Sequence, residues 1–443
     1  MAISLAEGKR RRALAVVFAV VFVDLLGFGL VIPILPYYVY SFGANEFVIG
    51  LLAASYSVTQ FLFAPLLGNV SDRYGRRPVI LVSVGGTVLA WLAFGLAPSL
   101  LWLFGSRLLA GAAGGNLAAA QAYVADVTEP AKRAQALGLL GAAFGLGFVF
   151  GPALGAVLSY PAVVAAADAV IPVLPITHYT LPAFGAAFLA AANLAFAFVA
   201  LPESRRVGPG GRSARRTMVG QLLAALRTPG LRGLVAAFFL LSLAFSGVQV
   251  MFIPFVAGQY GYGSSQAAVL LAYIGVLAVV VQGGIVGPLT RRYDEVTLTV
   301  ASAGVLVVAL AAVPFSPTVG DVFFAWVPAV TPWFTPALVG LLATLALLSF
   351  GNGVLNVTLA ALVSGRASAE TQGSAFGVTQ GAGSLARTVG PVLMGALYVL
   401  GYALPFLAGA ALMLLALVIT ARFTRSDDAE AEEPPLPDPG HAR

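Results

Sequence analysis

The chain has 443 residues, of which 59% are hydrophobic and only 9% charged, with a formal net charge of +6, no cysteine and two histidines. A charged fraction so far below that of an ordinary soluble domain points to a bilayer. The lack of cysteine excludes disulfides, thiol chemistry and thiolate metal sites, and His178 and His441 alone make no metal constellation, so enzymatic chemistry has almost no raw material here.

A span needs roughly 20 mainly apolar residues to cross about 30 Å of hydrocarbon. Twelve such runs follow one another at 13–40, 47–67, 78–97, 99–125, 134–158, 183–201, 232–257, 266–289, 296–314, 336–363, 373–399 and 402–421. Strands of a membrane barrel would alternate in polarity over about ten residues, so unbroken runs of this length imply helices. The opening Lys9-Arg10-Arg11-Arg12 before an apolar run imitates a secretory signal. That run is about twice too long for one and carries Asp24 and two prolines, so it is expected to be a retained first span.

Short cytoplasmic loops carry an excess of Lys and Arg. Counting twelve spans from Lys9–Arg12 places Arg73, Arg76, Arg77, Lys132, Arg133, Arg205 to Arg232, Arg291, Arg292, Arg366, Arg422 and Arg425 on one side, with none in an outer loop. Both termini are therefore expected to be cytoplasmic. The outer insertions Ser159–Pro182 and Pro314–Thr335 are too short and proline-broken to span. Positive charge thus reports topology, and no nucleic-acid partner is implied.

Two halves are visible. Gly287-Pro288-Leu289-Thr290-Arg291-Arg292-Tyr293-Asp294 is an eroded copy of Gly68-Asn69-Val70-Ser71-Asp72-Arg73-Tyr74-Gly75, and Gly151-Pro152 in the fifth span recurs as Gly390-Pro391 in the eleventh. Echoes six spans apart are what a parallel duplication predicts. The expected units are residues 1–201, a partly flexible Gly/Pro/Arg-rich linker at 202–231, a second half at 232–422, and a disordered acidic, proline-rich tail at 423–443.

GNVSDRYGRR, from Gly68 to Arg77, fits every fixed position of the loop motif G-x-x-x-D-R-x-G-R-R/K. Arg107 with Gly111 resembles a fourth-span motif, with Ala110 where Gln is usual, and Gly147, Gly151, Pro152 and Gly155 resemble a fifth-span antiporter motif, with Ala156 in place of its last glycine. On these residues the chain, nearly to residue 422, resembles the major facilitator superfamily and its twelve-span drug/proton antiporters. The stretch from Asp24 to Pro36 is similar to the first span of the tetracycline pumps in that group. The resemblance implies an all-α integral membrane fold of two six-helix bundles and a cytoplasmic gate at Gly68, Asp72, Arg73, Gly75, Arg76, Arg77 and Asp126, with a latch between Arg76 and Asp126.

The residues have their own readings. Gly68 allows two helix backbones to approach, and Asp72 can sit at the positive N-terminus of a neighbouring helix, with the eleventh span near Gln372 and Gly373 as candidate. Gly147, Gly151 and Gly155 line one face of the fifth span, and Pro152 invites a bend. Gly373, Gly377 and Gly381 repeat the idea before Pro391. Such faces are either passive packing or surfaces that slide and reseal.

Ionisable groups inside spans are costly, and so are functional candidates. Asp24 lies about eleven residues, roughly 16 Å, into the first span and is the one carboxylate near mid-membrane, suited to binding a proton and a cationic substrate in turn or to a structural pair. Arg107 is expected to modulate proton transfer or brace the fifth span; Arg387 is expected to attract an anion or pair with a carboxylate. Gln60, Asn116, Gln121, Gln249, Asn352, Asn356 and Gln380 could line a cavity or bond a neighbouring helix. Tyr56, Phe28 and Phe252 could supply apolar or cation-π contacts, while Phe323, Phe324, Trp326, Trp333 and Phe334 suit an interfacial belt.

Tetracycline pumps carry acidic residues in the third and ninth spans and a histidine in the eighth, all lacking here, so coupling falls to Asp24 or Asp126. The leading expectation is a monomeric secondary transporter of the cytoplasmic membrane, without cofactor, exporting a hydrophobic or amphiphilic small molecule against protons. The alternatives are a symporter or facilitator for an anionic metabolite anchored at Arg387, and a non-transporting sensor or scaffold.

Overall fold

The computed structural model describes residues 7–114, 116–129, 132–204, 229–329, 331, 333–366 and 372–431. Its secondary structure is helical throughout these residues. Span one is Glu7–Val31, continued through a 3-10 turn at Ile32–Ile34 into Leu35–Ser41. The turn falls where Pro33 and Pro36 remove backbone donors. Spans two, three, five and six are Glu46–Tyr74, Arg76–Gly95, Arg133–Leu158 and Thr180–Ala200. Seven to twelve begin at Pro229, Ser264, Glu295, Pro336, Gln372 and Leu404.

Among the described residues, ten helices are long and apolar enough to cross a membrane. The fifth span joins them as the straight part of a pair bent by 67° where the outer helix Pro161–Val170 turns away. The fourth is interrupted, as Leu100–Ala113 and Asn116–Val127. A π-helical turn at Val281–Ile285 breaks the eighth span over Val-Gln-Gly-Gly-Ile, the kind of local unwinding that glycines permit.

In lipid, helices associate by close packing of small residues rather than by a hydrophobic drive. The fifth-span glycines serve this purpose inside one half. An added Cβ would lie 2.8 Å from Leu25 Cβ at Gly147, 2.7 Å from Gly29 Cα at Gly151, and 2.6 Å from the Leu30 carbonyl oxygen at Gly155. The glycine face is therefore closely fitted against the first span, in the same half. The second half repeats it: a Cβ at Gly247 would sit 2.7 Å from the Gly390 carbonyl oxygen, binding the seventh span to the eleventh. Gly373 and Gly377 lie outside the described side chains.

The halves meet through other residues. A Cβ at Gly395 would lie 2.7 Å from the Glu46 carbonyl oxygen, one at Gly50 would overlap the Pro391 carbonyl, and one at Gly275 would lie 2.8 Å from Val149 Cγ2. Tyr37 donates to the Tyr262 carbonyl at 2.7 Å and Ser265 to the Ala156 carbonyl at 3.1 Å. Met251 and Met394, both fully buried, join Ile34, Ile49 and Leu52 in a core shared by both halves. These contacts lie at mid-depth or towards the end of the bundle away from the basic loops. Among the described residues, the halves are in close contact there.

Two boundaries differ from expectation. The twelfth helix runs on to Ala431, so the first residues of the acidic tail are helical, and residues 432–443 lie outside the described part. Pro202 to Ser204 are anchored to the first half, as shown below, while residues 205–228 of the linker lie outside it.

Candidate functional site

At the basic end, the loop motif closes on itself within the first half. Gly75, at φ +101°, breaks the chain between the second and third spans in a backbone region that side chains rarely adopt. Arg76, 6% exposed, then turns inward. It binds Asp72 at 2.7 Å and Asp126 at 3.0 Å, and donates to Ser71 Oγ at 2.6 Å. The Arg76–Asp126 pair implied by the resemblance is present.

Three features of this network were not legible in the sequence. Glu203, just past the sixth span, accepts from the backbone N–H groups of Arg76 at 2.9 Å and Arg77 at 3.1 Å, capping the third span. A Cβ on Gly75 would lie 2.9 Å from Glu203 Cδ, so glycine makes room for the cap. Ser204 donates to Asp126 at 3.4 Å, and Arg10 pairs with Glu129 across the same end. Arg77 donates to the Phe198 carbonyl and lies over its ring, whereas Arg73 is exposed. Around Gly68 a Cβ would meet nothing within 4 Å, so the close approach expected there is absent among the described residues. The contact proposed for Asp72 at Gln372 and Gly373 falls outside the described side chains.

At mid-depth, Arg107 is 6% exposed. Its guanidinium lies 4.8 Å from the ring centre of Tyr56, 5.5 Å from that of Trp91 and 5.8 Å from that of Phe28. Gly111, one turn further along, lets the fourth span press on the second, since a Cβ there would lie 2.9 Å from the Tyr56 carbonyl carbon. Phe28 packs on Tyr56 at 5.2 Å and on Phe148 of the fifth span at 6.3 Å. Among the described residues Arg107 faces rings of the first, second and third spans.

Gln60 donates to the Tyr56 hydroxyl at 3.1 Å and to the Gly114 carbonyl at 3.3 Å, which fixes the phenol. That hydroxyl lies within electrostatic range of Arg107, Asp24 and Arg387. Tyr56 therefore lies in the field of the three charges that the sequence places inside spans, Arg107 and Asp24 from the first half and Arg387 from the second. Asp24 stands one helical turn before Phe28, on the same face. Arg387 donates to Ser384 at 3.0 Å and is otherwise open.

The polar candidates divide. Asn356 is exposed and bonds Asn352 at 2.9 Å, Gln121 is exposed, and Gln249 is half-buried. The side chains of Asn116 and Gln380 lie outside the description. Phe252, 5% exposed, packs among Val248, Phe255 and Leu341 in the core of the second half, so it is not a cavity residue. Asn193, which the sequence did not single out, is 3% exposed and donates to the Val20 carbonyl at 2.9 Å, tying the sixth span to the first.

Two repeated helical halves closed over charges at mid-membrane define a multi-pass secondary transporter. The chain belongs to the Major Facilitator Superfamily, a family of transporters rather than enzymes, whose profile matches residues 17–340 and 319–442. It is 29% identical over 420 residues to the class C tetracycline resistance protein of Escherichia coli, spanning 92% of this chain and 96% of that one. Major facilitator superfamily domain-containing protein 10 of Bos taurus is 29% identical over 443 residues, 88% of each chain. Among solved structures, the human organic anion transporter MFSD10 (TETRAN) superposes with a TM-score of 0.63 at 27% identity, covering 93% of this chain and 99% of that one. A bacterial homologue of the human lysosomal transporter Spinster shares the fold with a TM-score of 0.75 at 14% identity, covering 95% and 98%.

Proposed function

We propose that the chain exports hydrophobic or amphiphilic small molecules in exchange for protons, as a monomer in the cytoplasmic membrane, with its basic loops and both termini on the cytoplasmic side. The Arg107 guanidinium 4.8 Å from the Tyr56 ring, with Asp24 and Arg387 within electrostatic range of the same phenol, supports this reading. Arg387 belongs to the other half, so the field at Asp24 changes whenever the halves move apart. Protonation and conformation are then linked: a proton on Asp24 shifts the balance between states, and a change of state shifts the proton's affinity.

The end where the halves are in close contact lies above the site, since Gly50 precedes Tyr56 on the second span by about one and a half turns. Cargo enters from the basic side and rests on the faces of Phe28 and Tyr56. Asp24 holds a cationic group on it. The halves rock, the far end opens, and a proton arriving there takes the carboxylate and releases the cargo. In vesicles, Asp24→Asn is expected to keep cargo binding and lose efflux driven by a pH gradient. Gradient-dependent transport at the wild-type rate in that variant would overturn the reading.

A second reading is favoured by the charge balance, two guanidinium groups against one carboxylate, and by likeness to a human organic anion transporter. Here the cargo is an organic anion that Arg387 holds, moved by symport or facilitation. Accumulation of an organic anion by expressing cells, lost in Arg387→Gln, would displace export.

A further inference from the structure

Trp91 lies about one turn before the end of the third span at Gly95, away from the basic loops, and is 2% exposed. Tryptophan in membrane helices prefers the interfaces, where its N–H can stay wet. Here the indole is wholly inside, with its face 5.5 Å from the Arg107 guanidinium and its ring set against Phe94 at 5.9 Å. Its Nε1 comes up against the first span, where a Cβ added to Gly27 would lie 3.8 Å away. Gly27 is three residues past Asp24, so the indole touches the helix face that carries the carboxylate.

Trp91 Nε1 and Arg107 Nε both lack a hydrogen-bond partner among the described residues. A buried guanidinium with an unsatisfied N–H is expensive to hold. What holds this one is three ring faces, and they differ. Tyr56 and Phe28 are half-buried, while Trp91 is locked in the core beside Phe94 and Ala186. One wall of the box is therefore fixed while two can move with the cargo.

We infer that Trp91 is a positioning residue of the central site, the fixed wall that keeps Arg107 at one distance from the helix carrying Asp24 while Arg387 comes and goes. The inference rests on Asp24 being the coupling group. Tyr56, which lies over the Arg107 guanidinium, is within electrostatic range of both Asp24 and Arg387. Trp91→Leu removes the wall, whereas Trp91→Phe keeps an aromatic face and deletes only the N–H.

The test is an infrared titration of carboxyl groups in purified protein, which needs no cargo, with Asp24→Asn identifying the Asp24 band. Trp91→Leu is expected to displace the midpoint of that band by about one pH unit, the scale of a desolvated cation-π contact. Trp91→Phe should stay within about 0.3 units of wild type. A wild-type midpoint in Trp91→Leu overturns the positioning role. An equal displacement in Trp91→Phe overturns the ring-face account in favour of the N–H. If Asp24→Asn removes no titrating band, the coupling role of Asp24 itself falls, whatever Trp91 does. A misfolded Trp91→Leu would show in its amide bands, and the milder Trp91→Met then takes its place in the same comparison.

Discussion

The two ends of the bundle are held by different physics. Away from the basic loops, the halves are pressed together by Gly50, Gly275 and Gly395 with two uncharged hydrogen bonds between them. At the basic end, the described bonds of Arg76, Asp72, Asp126 and Glu203 form an ionic network within the first half. A packed seam is set by shape and parts as a unit, whereas an ionic knot keeps one half rigid while the other moves. One end therefore joins the halves and the other preserves a half.

Breaking the seam should have the largest effect. Leucine at Gly50 would drive its side chain into the Pro391 carbonyl, and overpacking of that kind costs about 1–3 kcal/mol. The sealed state should lose about 10- to 100-fold in population. Alkylation of a single Met394→Cys, a position 0% exposed in the seam, measures it as a rate increase of that size. Breaking the knot should act on stability instead. Asp126→Asn leaves Arg76 its bonds to Asp72 and Ser71, and with Asp126 partly exposed the cost is about 1–2 kcal/mol, read as a lower Tm in detergent without added Met394→Cys alkylation.

Glu203→Gln keeps an acceptor but loses the charge at the N-terminus of the third span, so a loss of about 0.5–1 kcal/mol in the same melting experiment is expected. The smallest effect belongs to Glu129, whose carboxyl Arg10 holds below the usual carboxylate range by hydrogen bond and charge, helped by Lys132. A carboxyl lowered in the folded state contributes stability above its unfolded pKa and loses it as pH falls through the folded one. The small Tm margin of wild type over Glu129→Gln should be present at neutral pH and vanish once acidification passes below the lowered range of the Glu129 carboxyl.

Much of this was legible from residues alone. Span-length apolar runs, Asp24, Arg107 and Arg387 within them, and the repeat of Gly151-Pro152 at Gly390-Pro391 all follow from bilayer thickness and the cost of buried charge. The partner of the fifth-span glycines was not, because a small-residue face does not name the helix it packs on, which is the first span at Gly29. Glu203 stands 127 residues from the backbone N–H it caps, in a stretch whose composition reads as linker. Trp91 and the seam glycines carry no local signal either. Their roles come from how the helices dock.

The central claim is that the halves part at the glycine seam in every transport cycle. The chain has no cysteine, so Ala156→Cys with Ser265→Cys gives a single thiol pair across that seam, where the Ser265 hydroxyl now lies 3.1 Å from the Ala156 carbonyl oxygen. Oxidation of this variant in vesicles should stop transport, and reduction should restore it. Transport at an unchanged rate with the disulfide closed would contradict the account.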